Sequence, residues 1–330
     1  MLSVDLGFGY TKAFAGTRKV MLPSVIAPGQ KDDGGMNMFK SLGHLLEVKK
    51  PGEVNRISVL AGERAAKEGR AVQFSLDNEK FSKQASIMLA LTAVYLAGKE
   101  GQVRLGLGLP ISTYMNKEYR DEVVQAFNKI NYHVRVDSGP ERYISFIKTA
   151  LFPQGIGAMY AMQSLPDEGL VGLLDIGFFT TDIVLVEIEQ GNIVPLKKHF
   201  RSIKLGVSRA VQLFTDQFME ITGEPLSLVE ALNVWNKGKI TYRGRIMDIK
   251  PIIEQSRKYA GEAISSAVNE AWVEKINRLD YVYLSGGGAL ELGDNIKEML
   301  PQAVSIDDPQ FANAVGFYKM LETSINKKTA

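Results

Sequence analysis

Leu170-Val171-Gly172-Leu173-Leu174-Asp175-Ile176-Gly177-Phe178-Phe179-Thr180-Thr181-Asp182-Ile183-Val184-Leu185-Val186 reads as an apolar strand, a tight turn carrying Asp, Gly and two Thr, and a second apolar strand. A hairpin tip of this kind points backbone N–H groups and hydroxyls at an anion and keeps a carboxylate close by for the counter-cation. The N-terminus repeats the arrangement: residues 1–4 lead into Asp5-Leu6-Gly7-Phe8-Gly9-Tyr10-Thr11-Lys12, and Ala13-Phe14-Ala15 follow. The two aspartates lie 170 positions apart. The duplication implies two similar domains facing each other across one nucleotide.

Outward from these turns the chain alternates strands and helices. Residues 10–15 and 19–22 complete a meander that Pro23-Ser24 closes. Residues 27–55 are rich in Gly, Lys, Asp and Met, and a small peripheral insertion is expected at about 27–75. It would hold short strands near 45–48 and 56–60, with loops at Gly34-Gly35 and Pro51-Gly52. Residues 79–96 carry apolar side chains at helical spacing, Phe81 and Met88 among them, and stop at Gly98. Residues 103–109 form a buried strand whose Gly106, Gly108 and Pro110 imply close approach of another backbone. A helix at 118–129 and strands at 132–137 and 143–148 come next. Pro153-Gln154-Gly155 then opens a helix of small residues, Ile156-Gly157-Ala158-Met159-Tyr160-Ala161, suited to tight packing between domains, and the boundary is placed here.

Beyond the second turn, 192–197 is a third strand, 206–221 an amphipathic helix ending at Gly223, and 226–235 a further helix. A short strand pair at 240–246 precedes a long helix over 248–276 with Pro251 in its first turn. Residues 281–284 form a strand that runs into Ser285-Gly286-Gly287-Gly288-Ala289, and 291–300 is the helix after it. Residues 311–322 form a last helix that returns to the first domain, and the final few residues carry no signal of order.

Composition excludes several classes. The chain has 330 residues, enough for two domains, and 45% of them are apolar, ample for ordinary cores. No apolar run reaches the length of a membrane span, and the first residues already form a strand rather than a removable leader. Cys is absent, which excludes disulfides and thiolate metal sites and fits a cytoplasmic location. His44, His133 and His199 are the only histidines, and none pairs at metal-ligand spacing. With 39 basic against 37 acidic residues, net +2, the chain lacks the bias needed to coat nucleic acid, and pairs such as Lys197-Lys198 and Lys327-Lys328 read as solvated surface.

Three motifs in this order, the turns at Asp5 and Asp175 and the Gly286-Gly287-Gly288 segment, resemble the ATPase superfamily of actin, sugar kinases and heat-shock chaperones. Asp5-Leu6-Gly7-Phe8-Gly9-Tyr10-Thr11-Lys12, Leu109-Pro110 and Phe311-Ala312-Asn313-Ala314-Val315-Gly316-Phe317 are similar to bacterial and archaeal actin-like proteins, above all the ParM type that segregates plasmids. The resemblance covers nearly the whole chain. It implies an α/β actin-like (ribonuclease H-like) fold of duplicated domains, residues 1–157 and 158–310, each a mixed five-stranded sheet with flanking helices. The C-terminal helix at 311–324 packs back on the first domain. It also implies ATP or GTP bound with Mg²⁺ in the interdomain cleft, hydrolysis stimulated by polymerisation, double-stranded or bundled filaments, and an adaptor protein that links a filament end to centromeric DNA. Partners are thus the chain itself and a DNA-binding adaptor, with neither nucleic acid nor membrane bound directly.

Phosphoryl transfer rests on positioning and charge stabilisation. Gly7 and Gly9, with Phe8 and Tyr10, let the first turn approach the phosphates. Thr11 and Lys12 supply a hydroxyl and a cation; by the family pattern Lys12 contacts phosphate, the alternative being a solvated place on the second strand. Asp5 and Asp175 are the paired carboxylates. Mg²⁺ keeps several waters, so they would hold it mostly through its water shell, one of them orienting the attacking water. Gly177, Phe178, Phe179, Thr180 and Thr181 make the second turn, where the two aromatic residues depart from the small or polar ones usual in the family. Asp182 is either a further Mg²⁺-water partner or a strand-start carboxylate paired with a lysine. In actin-like relatives a Gln or Glu begins the helix that crosses between domains, which makes Gln154 the candidate for positioning water, with helix capping as its alternative. Pro110 and Ser112 would lie near it. Gly286, Gly287 and Gly288 are expected as backbone lying against the nucleoside. Lys204, Arg209 and Arg257 are either base and ribose contacts or ordinary surface residues. Two other functions stay open: a small-molecule kinase of the same superfamily, which would need a catalytic Asp that residues 103–120 do not offer, and a membrane-associated cell-shape or division actin.

Overall fold

The computed structural model describes residues 1–29, 43–68, 73–74 and 83–326. Gly34-Gly35, residues 79–82 of the expected helix and Lys327-Lys328 lie outside them. Contacts group Met1–Met162 with the chain from Phe311 onward as one unit, and Gln163–Gln310 as the other.

In the first unit, β1 (Leu2–Leu6) is buried along its whole length. It pairs antiparallel with β2 (Tyr10–Phe14), which pairs with β3 (Lys19–Pro23). Then come β4 (Val25–Pro28), β5 (His44–Lys49), β6 (Ile57–Ala61), β7 (Gln73–Phe74), β8 (Gly101–Leu109), β9 (Asn131–Val136) and β10 (Arg142–Pro153). One sheet takes them all in the order β3-β2-β1-β8-β10-β9-β5-β6-β4-β7. The expected peripheral insertion is therefore a continuation of the sheet: β5 pairs antiparallel with β9, so backbone hydrogen bonds run unbroken from the N-terminal hairpin into it. Strand β10 runs to Pro153, beyond the 148 read from the sequence. A bulge between Phe146 and Lys148 shifts its register on β8, and the inside–outside alternation that marks a strand breaks at that point.

Up to Met162 the helices of this unit are α1 (Glu63–Glu68), α2 (Gln84–Leu96), α3 (Ile111–Tyr114), α4 (Lys117–Asn128) and α5 (Ile156–Ala161). Helix α2 is apolar on every face, and Met88 through Tyr95 are all buried, as a helix wrapped by sheet and neighbours must be. Asn116 caps α4 through the N–H of Tyr119.

In the second unit, β11 (Gly169–Ile176), β12 (Thr181–Glu189), β13 (Asn192–Pro195) and β14 (Arg201–Ile203) precede α6 (Val207–Thr222) and α7 (Leu228–Trp235). A hairpin of β15 (Lys239–Tyr242) and β16 (Arg245–Asp248) leads to α8 (Lys250–Trp272), then β17 (Tyr281–Ser285), α9 (Gly288–Met299) and β18 (Ala303–Ser305). The sheet order is β13-β12-β11-β17-β18, with β14 also on β12. Phe214, Phe218, Ile264, Val268 and Leu292 fill the core between this sheet and helices α6, α8 and α9.

The duplication is structural. In each unit a first strand pairs antiparallel with the second and parallel with a later strand, which pairs parallel with the next: β2-β1-β8-β10 and β12-β11-β17-β18. The last helix, α10 (Ala312–Asn326), contacts α5, β1, β8 and β2 of the first unit. A Cβ on Gly316 would lie 1.7 Å from the Gly157 carbonyl oxygen, and one on Gly108 would lie 2.1 Å from the ring of Phe317. The small residues of α5 and β8 thus make room for α10; at Gly108 the close neighbour is an aromatic ring rather than a backbone. Among the described residues no helix is long and apolar enough to cross a membrane.

Candidate functional site

The two acidic turns share one register. Asp5 sits opposite Lys12 and Leu6 opposite Thr11; 170 positions later Asp175 sits opposite Asp182 and Ile176 opposite Thr181. Each turn bends at its glycine for the same reason. A Cβ on Gly7 would come 2.6 Å from the Tyr10 carbonyl oxygen, and one on Gly177 would come 3.0 Å from that of Thr180.

The turns are fastened by their carbonyls. In the first, Ser24 Oγ donates to the Gly7 oxygen at 2.7 Å and the Ser24 N–H donates to the Gly9 oxygen at 2.9 Å. In the second, the N–H groups of Val207 and Ser208, at the start of α6, donate to the oxygens of Gly177 and Phe178 at 3.2 and 2.7 Å. The C=O and N–H of a trans peptide point opposite ways. Anchoring these carbonyls therefore turns the N–H groups of Phe8 and Tyr10, and of Phe178 and Phe179, away from Ser24 and from α6. The rings of Phe178 and Phe179 meet edge-to-face with centroids 4.7 Å apart.

Of the turn threonines, Thr11 and Thr181 are buried and bonded to segments outside their own hairpins. Thr11 Oγ1 lies 2.9 Å from Ser24 Oγ, and Thr181 Oγ1 donates to the Leu205 oxygen at 2.8 Å. Lys12 is neither solvated nor directed at open space: its Nζ lies 3.1 Å from Asp5 Oδ2 in a buried ion pair. The other carboxylate oxygen, Oδ1, accepts from Gln154 Nε2 at 2.7 Å. Asp5 is 2% exposed and has a donor on each oxygen, which offsets the cost of burying its charge. In the second unit the residue opposite the aspartate is itself acidic, Asp182, so the same frame carries an acid where the first carries a base.

Gln154 does not cap a helix. Pro153 ends β10, Gly155 is the N-cap of α5, and Gln154 stands between them. Its N–H donates to the Leu109 oxygen at 2.8 Å, which places it beside Pro110, whereas Ser112 is exposed on α3.

At the Gly-rich turn after β17 the three glycines differ. A Cβ on Gly286, where φ is +81°, would meet the Ile176 oxygen at 2.3 Å and Asp175 Oδ1 at 2.7 Å; one on Gly288 would meet Ile176 Cγ2 at 2.3 Å. Packing against the end of β11 thus demands both. Gly287 is not demanded, since its Cβ would reach only the Gln310 side chain, at 3.6 Å. Arg257, a candidate base contact, is committed elsewhere: it pairs with Glu254 and Glu291 at 2.7 and 2.6 Å and lies over the Trp235 ring. Lys204 and Arg209 are exposed. Sequence reasoning gave the side chains of Ser24 and Asn313 no hydrogen-bonding role, because each acts on residues brought to it by the sheet or by α10.

The family model for the N-terminal domain of actin-like proteins matches residues 3–157, and that for the C-terminal domain of the archaeal actin homologue MreB-like matches residues 173–298. No curated protein matches the chain. Among solved structures, a 15-stranded ParM filament from Clostridium botulinum superposes with a TM-score of 0.85 at 23% identity, covering 98% of each chain. The archaeal actin homologue Ta0583 superposes with a TM-score of 0.82 at 19% identity, covering 98% of this chain and 100% of that one. Its complex with ADP gives 0.78 at 20% identity, covering 98% and 99%. With both units built on the same duplicated frame and matched in turn by the two domain families, the chain is an actin-like protein.

Proposed function

We propose that the chain binds and hydrolyses a nucleoside triphosphate, ATP or GTP, with Mg²⁺, and that it polymerises in step with that cycle to move plasmid or other DNA through an adaptor protein. The observation that carries the nucleotide reading is the shared register of the Asp5–Gly7 and Asp175–Gly177 turns, each with its carbonyls tied back and its N–H groups turned the other way. Such turns are suited to phosphate oxygens. Gly287, whose missing side chain packing does not explain, is where the nucleoside would lie against backbone.

The residues present fit Mg²⁺. The ion prefers hard oxygen donors and keeps most of its waters, so one carboxylate per turn acting on those waters would suit it. Asp175 and Asp5 would hold it, and when bound it neutralises phosphate charge. Gln154 orients the attacking water. A carboxylate accepts only from the NH₂ end of an amide, so the bond to Asp5 fixes Nε2 there and leaves Oε1 as the acceptor for a water proton. A carboxamide is no base at neutral pH, and its contribution is geometric.

The polymerising part is supported by the likeness in fold to ParM filaments. Subunits would join by heterologous head-to-tail contacts that do not close into a ring. Light scattering after addition of ATP or GTP with Mg²⁺, with phosphate release followed in parallel and the product imaged by electron microscopy, tests the whole. Scattering should rise and then decay as phosphate appears; a flat trace with no phosphate from either nucleotide would refute it.

A further inference from the structure

In the Phe311-Ala312-Asn313-Ala314-Val315-Gly316-Phe317 segment, which the sequence marks without giving its asparagine a role, Asn313 touches the residue next to Gln154. Gly155 has φ +77° and ψ −58°, and the Ile156 N–H donates back to the Gln154 oxygen at 3.0 Å. Residues 154–156 therefore form a γ-turn of the rare kind that is open to glycine and strained for other residues. The peptide between Gln154 and Gly155 is held at both ends. Its carbonyl accepts from Ile156, and its N–H donates to Asn313 Oδ1 at 3.0 Å. With the Gln154 N–H on Leu109, the backbone on both sides of the Gln154 side chain is fixed. Asn313 is 4% exposed and Gln154 9%, so water does not readily replace this bond.

Helix α10 is itself seated firmly. Gly316 lies against the backbone of Gly157, Lys319 Nζ donates to the Ala161 oxygen at 2.9 Å, and Ser3 Oγ donates to the Ala314 oxygen at 2.5 Å. We infer that Asn313 is a positioning residue for Gln154: through the Gly155 N–H it fixes the peptide plane that aims the glutamine side chain at Asp5 and at the attacking water. This rests on the reading of Gln154 as the residue that orients water.

The test compares steady-state triphosphate hydrolysis in a set of variants of the full chain. Asn313→Leu fills the buried space without an acceptor, and Asn313→Ala removes it outright. Both should lower kcat by about tenfold to a hundredfold, the scale of a small misplacement of a reacting group, with KM for the nucleotide unchanged. Asn313→Asp keeps an acceptor in the first turn of α10, where a carboxylate is favoured, and should restore the rate. Ser3→Ala loosens α10 at a point that does not touch Gln154 and should hydrolyse like the wild type. Gln154→Ala should lose at least as much as Asn313→Leu. Wild-type kcat in folded Asn313→Leu beside a slow Gln154→Ala would overturn this inference alone, as would a Ser3→Ala variant as slow as Asn313→Leu or an Asn313→Asp variant that is folded and slow. A Gln154→Ala variant at the wild-type rate would overturn both this inference and the role given to Gln154.

Discussion

Gln154 Nε2 donates to Asp5 Oδ1 over 2.7 Å, joining residues 149 positions apart in the sequence, while Lys12 occupies the other oxygen of the same carboxylate. The end of β10 and the end of β1 are thus coupled through one carboxylate, and the first acidic turn and the residue proposed to orient water are built as a single piece.

That coupling has a stability signature. Lys12→Met removes the cation and leaves Asp5 buried with one neutral donor, so urea unfolding should show a loss of about 3–5 kcal/mol. Replacing both partners, with Asp5→Leu added, should recover most of it, because no uncompensated charge remains. A Lys12→Met variant as stable as the wild type would mean that the pair carries little weight.

The glycines at 286 and 287 should separate folding from binding. Gly286→Ala places a Cβ 2.3 Å from a carbonyl oxygen at φ +81° and should express poorly or unfold at lower temperature. Gly287→Ala meets nothing closer than 3.6 Å; its stability should stay within about 0.5 kcal/mol of the wild type. Its nucleotide affinity should nonetheless fall by about tenfold or more, measured by fluorescence anisotropy of a labelled nucleotide. Equal affinity in Gly287→Ala would move the nucleoside away from this turn.

Acid should loosen the first unit through Asp137. Burial raises the pKa of this carboxyl, but hydrogen bonds from His44 and from the Leu45 N–H, with the charge of Arg64, outweigh burial and bring it below its ordinary value of 3.8. A carboxylate whose folded pKa is depressed contributes stability that is present above the unfolded pKa and is lost as pH falls through the folded one. Urea stability of the wild type should therefore drop on going from about pH 5 to below about pH 3, and Asp137→Asn should start lower and lose less over that window. Parallel curves for the two proteins would exclude the mechanism.

Much of this was legible in the residues. The Asp-x-Gly turns, the Gly-rich segment after β17 and the apolar strands flanking them carry short-range patterns, and the duplicated frame follows from them. What depended on distant partners was not. Thr11 and Thr181 look alike as turn hydroxyls in the sequence, yet each is bonded to a segment outside its own hairpin, Thr11 to Ser24 and Thr181 to Leu205. Pro153 reads as a helix start because proline suits that position, but the bulge at 146–148 hides that β10 runs on to it. Short strands near 45–48 and 56–60 were visible, though nothing local says that β5 would pair with β9 and extend the sheet. Arg257 carries the charge of a ligand contact; its partners Glu291 and Trp235 come from other helices.

Calorimetric titration with a non-hydrolysable ATP analogue and Mg²⁺ tests the central claim most directly. The predicted result is one nucleotide per chain, with affinity lower by about tenfold or more, roughly 1.4 kcal/mol, in each of Asp5→Asn and Asp175→Asn. Two independent sites per chain, or wild-type affinity in either variant, would contradict it.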